Sequence, residues 1–161
     1  MIPQEPEVRT AARVLLIDRA DRVLLLRCTD PARPALPYWF TIGGGCEVGE
    51  PVARAAVREL EEEVGLTLDP EVLVGPFAAR HVSFTFAGRA VEQDETYFAA
   101  FVDEHEATLE GMGPLELTVV DRIAWWGLRE MNDPDCGETF FPGDLAALFE
   151  TAITLRPGSR R

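Results

Sequence analysis

Residues 44–66 read GGCEVGEPVARAAVRELEEEVGL, a glycine-rich loop that runs directly into a segment with three spaced glutamates. In an α-helix, positions i, i+3 and i+4 share one face, so Glu59, Glu62 and Glu63 are expected to converge on a small patch. Two such charges about 4 Å apart repel each other by roughly 4 kcal/mol at an effective dielectric of about 20. A hard divalent cation relieves this repulsion, because it accepts carboxylate and phosphate oxygens together. The stretch therefore predicts a site that a metal ion and an anionic substrate complete.

The helix that carries these glutamates has a clear start and end. Pro51 suits the first helical turn, where no amide hydrogen is needed, and Gly65 suits a left-handed residue that ends a helix. At about 100° per residue, the apolar residues gather on one side, with the glutamates at its border. The apolar side comprises Ala53, Ala56, Val57, Leu60 and Val64. The helix is expected to bury this stripe and to present its acids along the edge.

The whole stretch resembles the Nudix box. Gly44 is followed by five residues and Glu50, then by seven residues and the run 58–66, RELEEEVGL, in agreement with every fixed position of that motif. The flanks are similar as well, since a strand with Trp39 enters the glycines and a strand with Trp126 follows later. The resemblance implies an α/β fold of the Nudix type, an α/β/α sandwich with a mixed β-sheet. It also implies a hydrolase that cleaves a diphosphate bond in a nucleoside-diphosphate-linked substrate.

The resemblance further implies roles for individual residues. Glu59, Glu62 and Glu63 match the metal-coordinating glutamates of the box, and the backbone carbonyl of Gly43 matches a further ligand. Mg²⁺ is the implied cofactor, with Mn²⁺ as a substitute. Arg58 is expected to orient a metal-binding glutamate by ion pairing, although a simple surface contact along the helix is the alternative. The box positions with structural roles are Gly44 and Gly65, for backbone geometry, and Glu50, which is expected to hold the loop against the helix.

Hydrolysis of a diphosphate requires neutralised phosphate oxygens, a water delivered in line and a group that accepts the proton of this water. In the family that the chain resembles, this base is a box glutamate, here Glu62 or Glu63, or a residue of a later loop. Glu116 is the first candidate for a later base and Glu95 the second, while either could be an ordinary surface acid. Glu47 could contact metal or substrate, or simply face water.

The range of candidate substrates is narrowed mainly by sequence motifs that the chain lacks. Nudix subfamilies that act on ADP-ribose or diadenosine polyphosphates resemble one another in a proline or tyrosine shortly after the box, and the corresponding residues 81–84 read HVSF. The SQPWPF-type array of NADH pyrophosphatases is missing as well. A nucleoside triphosphate or a related nucleotide is therefore the leading expectation. The residues expected to stack on its base, unless they belong to the core, are Phe84, Phe86, Tyr97 and Trp126.

Two other functions stay open beside hydrolysis. The first is a nucleotide-sensing or binding module with a Nudix fold and no turnover, which usually comes with an extra DNA-binding segment. The second is an isomerase that protonates an allylic or homoallylic diphosphate, which calls for a cysteine-containing motif ahead of the box. Cys28 stands alone there, in the sequence RCTD. Hydrolysis is preferred because the box keeps all of its acids.

Charge and composition exclude several classes of partner. The chain has 15 Lys and Arg against 28 Asp and Glu, a net charge of −13, which disfavours binding to long nucleic acids. No apolar run reaches the ~18–20 residues that span a bilayer, and the first residues lack a secretory signal. We therefore expect a cytoplasmic protein without membrane contact. Cys28, Cys46 and Cys136 form no CxxC motif, and Cys46 in the loop either faces apolar neighbours or is a reactive thiol.

The remaining sequence predicts one Nudix domain over residues 1–161, because it contains no repeat and no long linker. Strands are expected at residues 9–18, 22–27, 71–74, 78–86, 96–102 and 122–127, and helices at residues 128–131 and 142–155. Turns are expected at residues 19–21 and 87–88. Residues 1–8 and 156–161, with their Pro, Gly and charge, are expected to be flexible tails. The exposed strands could support a homodimer.

Overall fold

A mixed β-sheet of seven strands organises the computed structural model, which describes residues 8–158. The strands are β1 (Val8–Ile17), β2 (Arg22–Cys28), β3 (Tyr38–Gly45), β4 (Val74–Phe86), β5 (Arg89–Phe101), β6 (Val120–Gly127) and β7 (Phe140–Phe141). The helices are α1 (Val52–Val64), α2 (Pro114–Leu117), α3 (Leu128–Met131) and α4 (Leu145–Ile153). The strand order is β4-β5-β1-β2-β3-β7, with β6 beside β2 and an additional pairing of β1 with β3. The β1–β5 and β3–β7 pairs are parallel and the others antiparallel.

The two faces of the sheet bury two separate apolar clusters, because successive side chains of a strand point to opposite faces. Val14 and Leu16 of β1 belong to the cluster that packs against α1. Leu15 and Ile17 belong to the cluster that packs against α4. Burying a side chain such as Leu15 contributes about 1.5–3 kcal/mol. The helices cover both faces, so the predicted α/β/α sandwich with a mixed sheet is confirmed.

Most predicted elements are present, with changes in length. The turn after β1 is as predicted, and Asp18 stabilises it by accepting hydrogen bonds from the amides of Ala20 and Arg22, at 3.0 and 2.9 Å. The turn at residues 87–88 joins β4 to β5, and the hairpin is longer than predicted because the polar start of β5 also pairs with β4. The predicted strand at residues 71–74 is wrong except at Val74, where β4 begins. Pro70–Val72 forms a 3-10 turn instead, capped by Asp69.

The C-terminal region differs from the prediction in two respects. The last helix spans only Leu145–Ile153, and the short strand β7 precedes it. The expectation of a loose tail from residue 156 is wrong for Arg156. Its guanidinium donates to the Asp18 carbonyl at 2.8 Å and to Asp21 at 2.6 Å, and it lies over the Phe101 ring. Residues 1–7 and 159–161 lie outside the described part of the chain. Between residues 8 and 158, no helix combines the length and apolar character needed to cross a membrane.

Candidate active site

The end of β3 passes against β1 and α1 with no room for side chains. At Gly43, where φ is +146°, a Cβ atom would overlap the carbonyl oxygen of Ala12. At Gly44, a Cβ atom would lie 2.5 Å from Glu59 Oε1. Both positions therefore require glycine, and the bare backbone lets the Glu59 carboxylate lie directly against the strand.

Helix α1 begins and ends close to the predicted residues. Pro51 is the residue immediately before the first helical residue, rather than part of the first turn. Gly65 has the predicted left-handed conformation, with φ of 74°, and its amide donates to the Glu61 carbonyl at 3.1 Å. The short connection from β3 into α1 places the glycines of the strand opposite the middle of the helix.

Two of the three box glutamates lie inside the buried face of α1. That face comprises Ala55, Ala56, Glu59, Leu60, Glu63 and Val64. Glu59 and Glu63 are only 7% and 6% exposed, and Glu63 Oε1 accepts a hydrogen bond from the Gly43 amide at 3.3 Å. The prediction that the acids border the apolar stripe is wrong for these two residues. Because the facing glycines have no side chains, the carboxylates fill the space between helix and strand.

The two buried carboxyl groups lie next to each other. Burial, then the hydrogen bond with Glu59 and the negative charge of Glu59, raises the pKa of Glu63 well above its ordinary value. Glu63 therefore keeps its proton to a higher pH than a free glutamate does. A divalent cation can replace such a proton, because it satisfies both carboxylates at once. The chemistry of this pair fits a hard metal ion.

Glu62 is turned away from the buried pair. Its side chain is 46% exposed, and its Oε2 lies 3.3 Å from Arg58 Nη1. Partial loss of water, followed by the charge of Glu59, raises the pKa of Glu62 despite this contact. Within residues 8–158, no group of three or more His, Cys, Asp or Glu side chains forms a preformed metal site. The expected convergence of all three glutamates is therefore only partial, since Arg58 draws Glu62 aside.

Arg58 links the loop to the helix rather than making only a surface contact. Its Nε and Nη2 donate to the two carboxylate oxygens of Glu50 at 2.9 and 2.8 Å, and Nη2 also donates to the Gly45 carbonyl at 3.0 Å. Its Nη1 reaches Glu59 Oε1 at 3.1 Å, in addition to Glu62. The hydrogen bonds from Arg58 lower the pKa of Glu50 to about 2. These contacts tie Glu50 and Gly45 of the loop to α1.

The other predicted acids occupy three different environments. Glu116 of α2 lines the cavity next to the box glutamates, and its negative charge contributes to the raised pKa of Glu62. Glu95 is 2% exposed and does not line this cavity. Its carboxylate accepts hydrogen bonds from three buried or half-buried side chains, and because it does not face the cavity its prediction as a second base is wrong. Glu47 is exposed, lies outside the cavity lining and contacts Glu50 through its backbone amide.

A cavity of about 920 Å³ opens beside Glu59 and Glu63. Its cationic lining residues are Arg9, Arg13 and Arg33, and its aromatic ones are Tyr38, Phe40, Phe84, Phe86, Phe140 and Phe141. Four of these rings form an edge-to-face row, with centroid distances of 5.9 Å for Phe40–Tyr38, 6.1 Å for Tyr38–Phe141 and 6.0 Å for Phe141–Phe84. The cavity thus combines acidic, cationic and aromatic walls.

Two of the four aromatic residues predicted to stack on a base do not line this cavity. Tyr97 is 1% exposed and belongs to the cluster that packs against α4, where its hydroxyl donates to Glu95 at 3.0 Å. Trp126 packs edge-on against Trp39 and Phe140, next to the same cluster. Strand alternation directs both side chains into the core beneath α4, so this prediction is wrong for both residues. Phe84 and Phe86 do line the cavity.

Sequence reasoning missed Arg13, Tyr38 and Phe141 as cavity residues. Arg13 had a usable signal, because it is the one charged residue between Ala11 and Ile17 in an otherwise apolar strand. Phe141 had none, since β7 is two residues long and has no periodicity. Tyr38 stands just before the aromatic entry to the glycine loop, where its side-chain direction depends on strand pairing.

The environment of Cys46 favours the first of its two interpretations. Its side chain is partly buried and packs against the apolar cluster beneath α1. Burial raises the pKa of the Cys46 thiol, which disfavours the reactive thiolate. The backbone amide donates to the Thr10 carbonyl at 2.8 Å and so ties the loop to β1.

Comparisons with known proteins agree with this fold. The chain is similar to a Nudix-family hydrolase from Clostridium perfringens, with 16% identity, a TM-score of 0.67 and coverage of 91% of this chain and 97% of that chain. It is also similar to the dihydroneopterin triphosphate pyrophosphohydrolase of E. coli, with 18% identity, a TM-score of 0.64 and coverage of 90% and 95%. A MutT Nudix hydrolase from Burkholderia pseudomallei has 23% identity and a TM-score of 0.61, with coverage of 89% of this chain and 97% of that chain. These identities are low, so the likeness shows a shared fold.

The family itself is shown by a match along the sequence. The model of the NUDIX domain matches residues 7–141, which include the glycine loop, α1 and every strand of the sheet. The resemblance seen in the box is therefore confirmed over most of the chain. This protein belongs to the Nudix hydrolase family.

Proposed function

We propose that this protein is a metal-dependent hydrolase that cleaves a diphosphate bond in a nucleoside triphosphate or a related nucleotide. One observation carries the proposal: Glu59 and Glu63 lie buried together against the bare backbone of Gly43 and Gly44, at the wall of a large cavity. Nudix hydrolases act on pyrophosphate bonds of small nucleotide substrates and generally use a divalent metal ion such as Mg²⁺.

The proposed metal ligands are the carboxylates of Glu59, Glu62 and Glu63 and the carbonyl of Gly43. A bound cation would take the place of the Glu63 proton, and the half-exposed Glu62 side chain can leave Arg58 without disturbing packed residues. When bound, Mg²⁺ or Mn²⁺ neutralises phosphate oxygens and lowers the pKa of a coordinated water. Arg58 holds the loop against the helix through its hydrogen bonds to Glu50 and Gly45.

Glu116 is the proposed acceptor of the proton from the attacking water. It lines the cavity on the side of the box glutamates, close enough for its charge to raise the pKa of Glu62. Its carboxylate accepts one hydrogen bond from the Gly113 amide at 3.2 Å, which leaves acceptor capacity for water. If Glu116 is replaced by Gln and turnover persists undiminished, a box glutamate takes this role instead.

The aromatic row supports a substrate that carries a planar base. Phe84 and Phe141 lie at one end of this row, and Phe141 is 37% exposed. An exposed aromatic face favours stacking with a nucleobase, which contributes about 1–3 kcal/mol per base. The glutamates and arginines of the same cavity suit the phosphate portion of such a molecule.

An assay with a panel of nucleotides tests the proposal. The protein is incubated with nucleoside triphosphates, dinucleotides and sugar nucleotides in Mg²⁺ and then in Mn²⁺, and mass spectrometry identifies the products. We expect metal-dependent cleavage at a diphosphate bond and its loss in the Glu62→Gln/Glu63→Gln variant. Glu61→Gln is the matched control, because Glu61 is an exposed acid on the same helix. Undiminished turnover in the double variant contradicts the proposal, and tight nucleotide binding without products supports a sensing module.

A further inference from the structure

A single arginine inside the sheet stands out among the residues that line the cavity. Arg13 lies within the apolar run of β1, and its side chain is only 11% exposed. It lines the same cavity as Gly43, Glu59 and Glu63. A buried guanidinium is expensive to desolvate, so its presence calls for partners that satisfy its charge and its five N–H donors.

One partner of Arg13 is a carboxylate that is itself held rigidly. Arg13 Nε donates to Glu95 Oε2 at 2.7 Å. The amide of Gln93 donates to the same oxygen at 2.8 Å, and the Tyr97 hydroxyl donates to Glu95 Oε1 at 3.0 Å. Gln93, Glu95 and Tyr97 are at most 2% exposed. This arrangement holds the guanidinium in one orientation.

The other N–H groups of Arg13 make only long hydrogen bonds or none. Its Nη1 faces the carbonyls of Thr41 and Gly43 at 3.4 and 3.3 Å, which is longer than the usual distance of about 2.9 Å. Its Nη2 donates to none of the residues between 8 and 158. The protein therefore orients an arginine at a cavity wall and leaves about half of its hydrogen-bonding capacity for another group.

The position of Arg13 relative to the box glutamates indicates that this other group is a phosphate chain. Arg13 and Gly43 are paired residues of β1 and β3, and the Gly43 amide contacts Glu63. The guanidinium and the buried glutamates thus lie on either side of Gly43. Arg13, Glu59 and Glu63 line one cavity, so a phosphate chain bound there can meet the guanidinium, which recognises phosphate oxygens in bidentate fashion.

We infer that Arg13 anchors the phosphate chain of the substrate and that Glu95 is a positioning residue that acts through Arg13. The inference rests on the proposed function for the presence of phosphates in the substrate, and it adds an anchor outside the Nudix box. The competing explanation is that Arg13 only neutralises the buried Glu95. The two explanations differ in what happens when both charges are removed together.

Binding of methylenediphosphonate, a diphosphate analogue without a base or a cleavable bridge, tests the anchor directly. Affinity is measured by calorimetry in Mg²⁺, and the melting temperature is recorded for each variant. Arg13→Gln alone leaves Glu95 buried without its cation and is expected to be unstable. The informative variant is therefore Arg13→Gln/Glu95→Gln, in which two neutral amides replace the ion pair and folding is retained.

We expect the double variant to bind the analogue roughly 10-fold or more weakly than the wild type, as loss of a hydrogen-bonded charge predicts. Arg13→Lys should lose less affinity, since it keeps the charge but not the planar fork. Arg22→Gln is the matched control, because Arg22 also pairs with a buried carboxylate, that of Asp18, but lies outside the cavity lining. Wild-type affinity in a folded double variant, or no binding of the analogue to the wild type, overturns the inference.

Kinetics separate this inference from the proposed function and test the role of Glu95. In Glu95→Gln, which keeps the guanidinium but loosens its orientation, KM should rise by about 10-fold while kcat changes less, measured at a temperature at which melting curves show the variant folded. Unchanged KM in a folded Glu95→Gln variant excludes the positioning role. If the wild type hydrolyses no nucleotide, the proposed function fails, and the binding measurements still decide whether Arg13 holds phosphate.

Discussion

Arg58 and Glu50 are joined by two hydrogen bonds, Nε to Oε2 at 2.9 Å and Nη2 to Oε1 at 2.8 Å. Glu50 belongs to the loop and Arg58 to α1, so this pair fixes the distance between the glycines of β3 and the glutamates of the helix. The same guanidinium contacts Gly45, Glu59 and Glu62. One side chain thus connects the backbone of the loop to two of the proposed metal ligands.

Replacing Arg58 should raise the Mg²⁺ concentration that activity requires, without unfolding the protein. In Arg58→Lys, the single ammonium cannot reproduce both hydrogen bonds to Glu50, so the loop is no longer held in one position against the helix. We expect a decrease in kcat/KM of about 10- to 100-fold and a higher Mg²⁺ requirement, as for other residues that orient metal ligands. A steady-state Mg²⁺ titration measures both. Arg54→Gln is the control, because Arg54 is exposed on the same helix, and equal effects of the two variants contradict this role.

Gly44→Ala tests the close approach of strand and helix. The new methyl group would lie 2.5 Å from Glu59 Oε1 and 2.8 Å from its Cδ, so the carboxylate must move. We expect turnover to fall by about 100-fold, the effect of displacing a reacting geometry by roughly 1 Å. Gly143→Ala serves as the control, since a Cβ atom there meets nothing within 4 Å. Full activity of Gly44→Ala in the nucleotide assay would show that Glu59 does not need this position.

The sequence predicts the box well because its constraints are local. The ends of α1 and the left-handed Gly65 follow from helix geometry within one short stretch. The sequence predicts the burial of Ala56, Leu60 and Val64 but not that of Glu59 and Glu63, because the burial of these two acids depends on the bare backbone of a facing strand. It is the pairing of β3 with β1 that places this backbone there.

The distant walls of the cavity depend on contacts between residues far apart in the chain, and they are the part that sequence reasoning misses. Tyr97 and Trp126 are aromatic residues of the kind that stack on bases, yet strand register directs both into the core beneath α4. Phe141 reaches the cavity through a two-residue strand that pairs with β3. Arg13 is recognisable as a charge in an apolar strand, but its partner Glu95 becomes evident only from the parallel pairing of β1 with β5.

Stability without metal should depend on pH through Glu63. Its pKa in the folded protein is raised above 4.5, by burial first, so above that pH the unfolded chain loses a proton that the folded protein keeps. The unfolded state then binds fewer protons, and the free energy of unfolding falls as pH rises. In EDTA, the wild type should lose stability relative to Glu63→Gln from about pH 5 upward, by at most about 1.4 kcal/mol per pH unit.

Thermal melts of both proteins between about pH 5 and pH 8 measure this difference. Excess Mg²⁺ should restore the wild type and leave Glu63→Gln less affected, because the cation takes the place of the Glu63 proton. A wild type that gains stability relative to Glu63→Gln as pH rises, or that keeps the same relative stability at every pH, contradicts the assignment of Glu63 as a buried carboxyl beside Glu59.

The aromatic row should govern affinity for the base. Phe84→Ala removes the terminal ring of the row and Phe141→Ala the ring next to it, and we expect KM for a cleaved nucleotide to rise by roughly 10-fold in each variant, as loss of base stacking predicts. Binding of methylenediphosphonate, which has no base, should stay unchanged. Trp126→Phe is the control, because Trp126 does not line the cavity. If KM rises in the control as much as in Phe84→Ala, the row is not the base site.

The central claim is that Glu59 and Glu63 hold a divalent cation beneath the glycine strand. Anomalous diffraction from a crystal soaked in Mn²⁺ tests this claim most directly, because it locates the ion without reference to any substrate. We expect the strongest anomalous peak beside the carboxylate oxygens of Glu59 and Glu63, next to the Gly43 carbonyl. No peak at these oxygens, or a stronger peak elsewhere on the protein, would contradict the account.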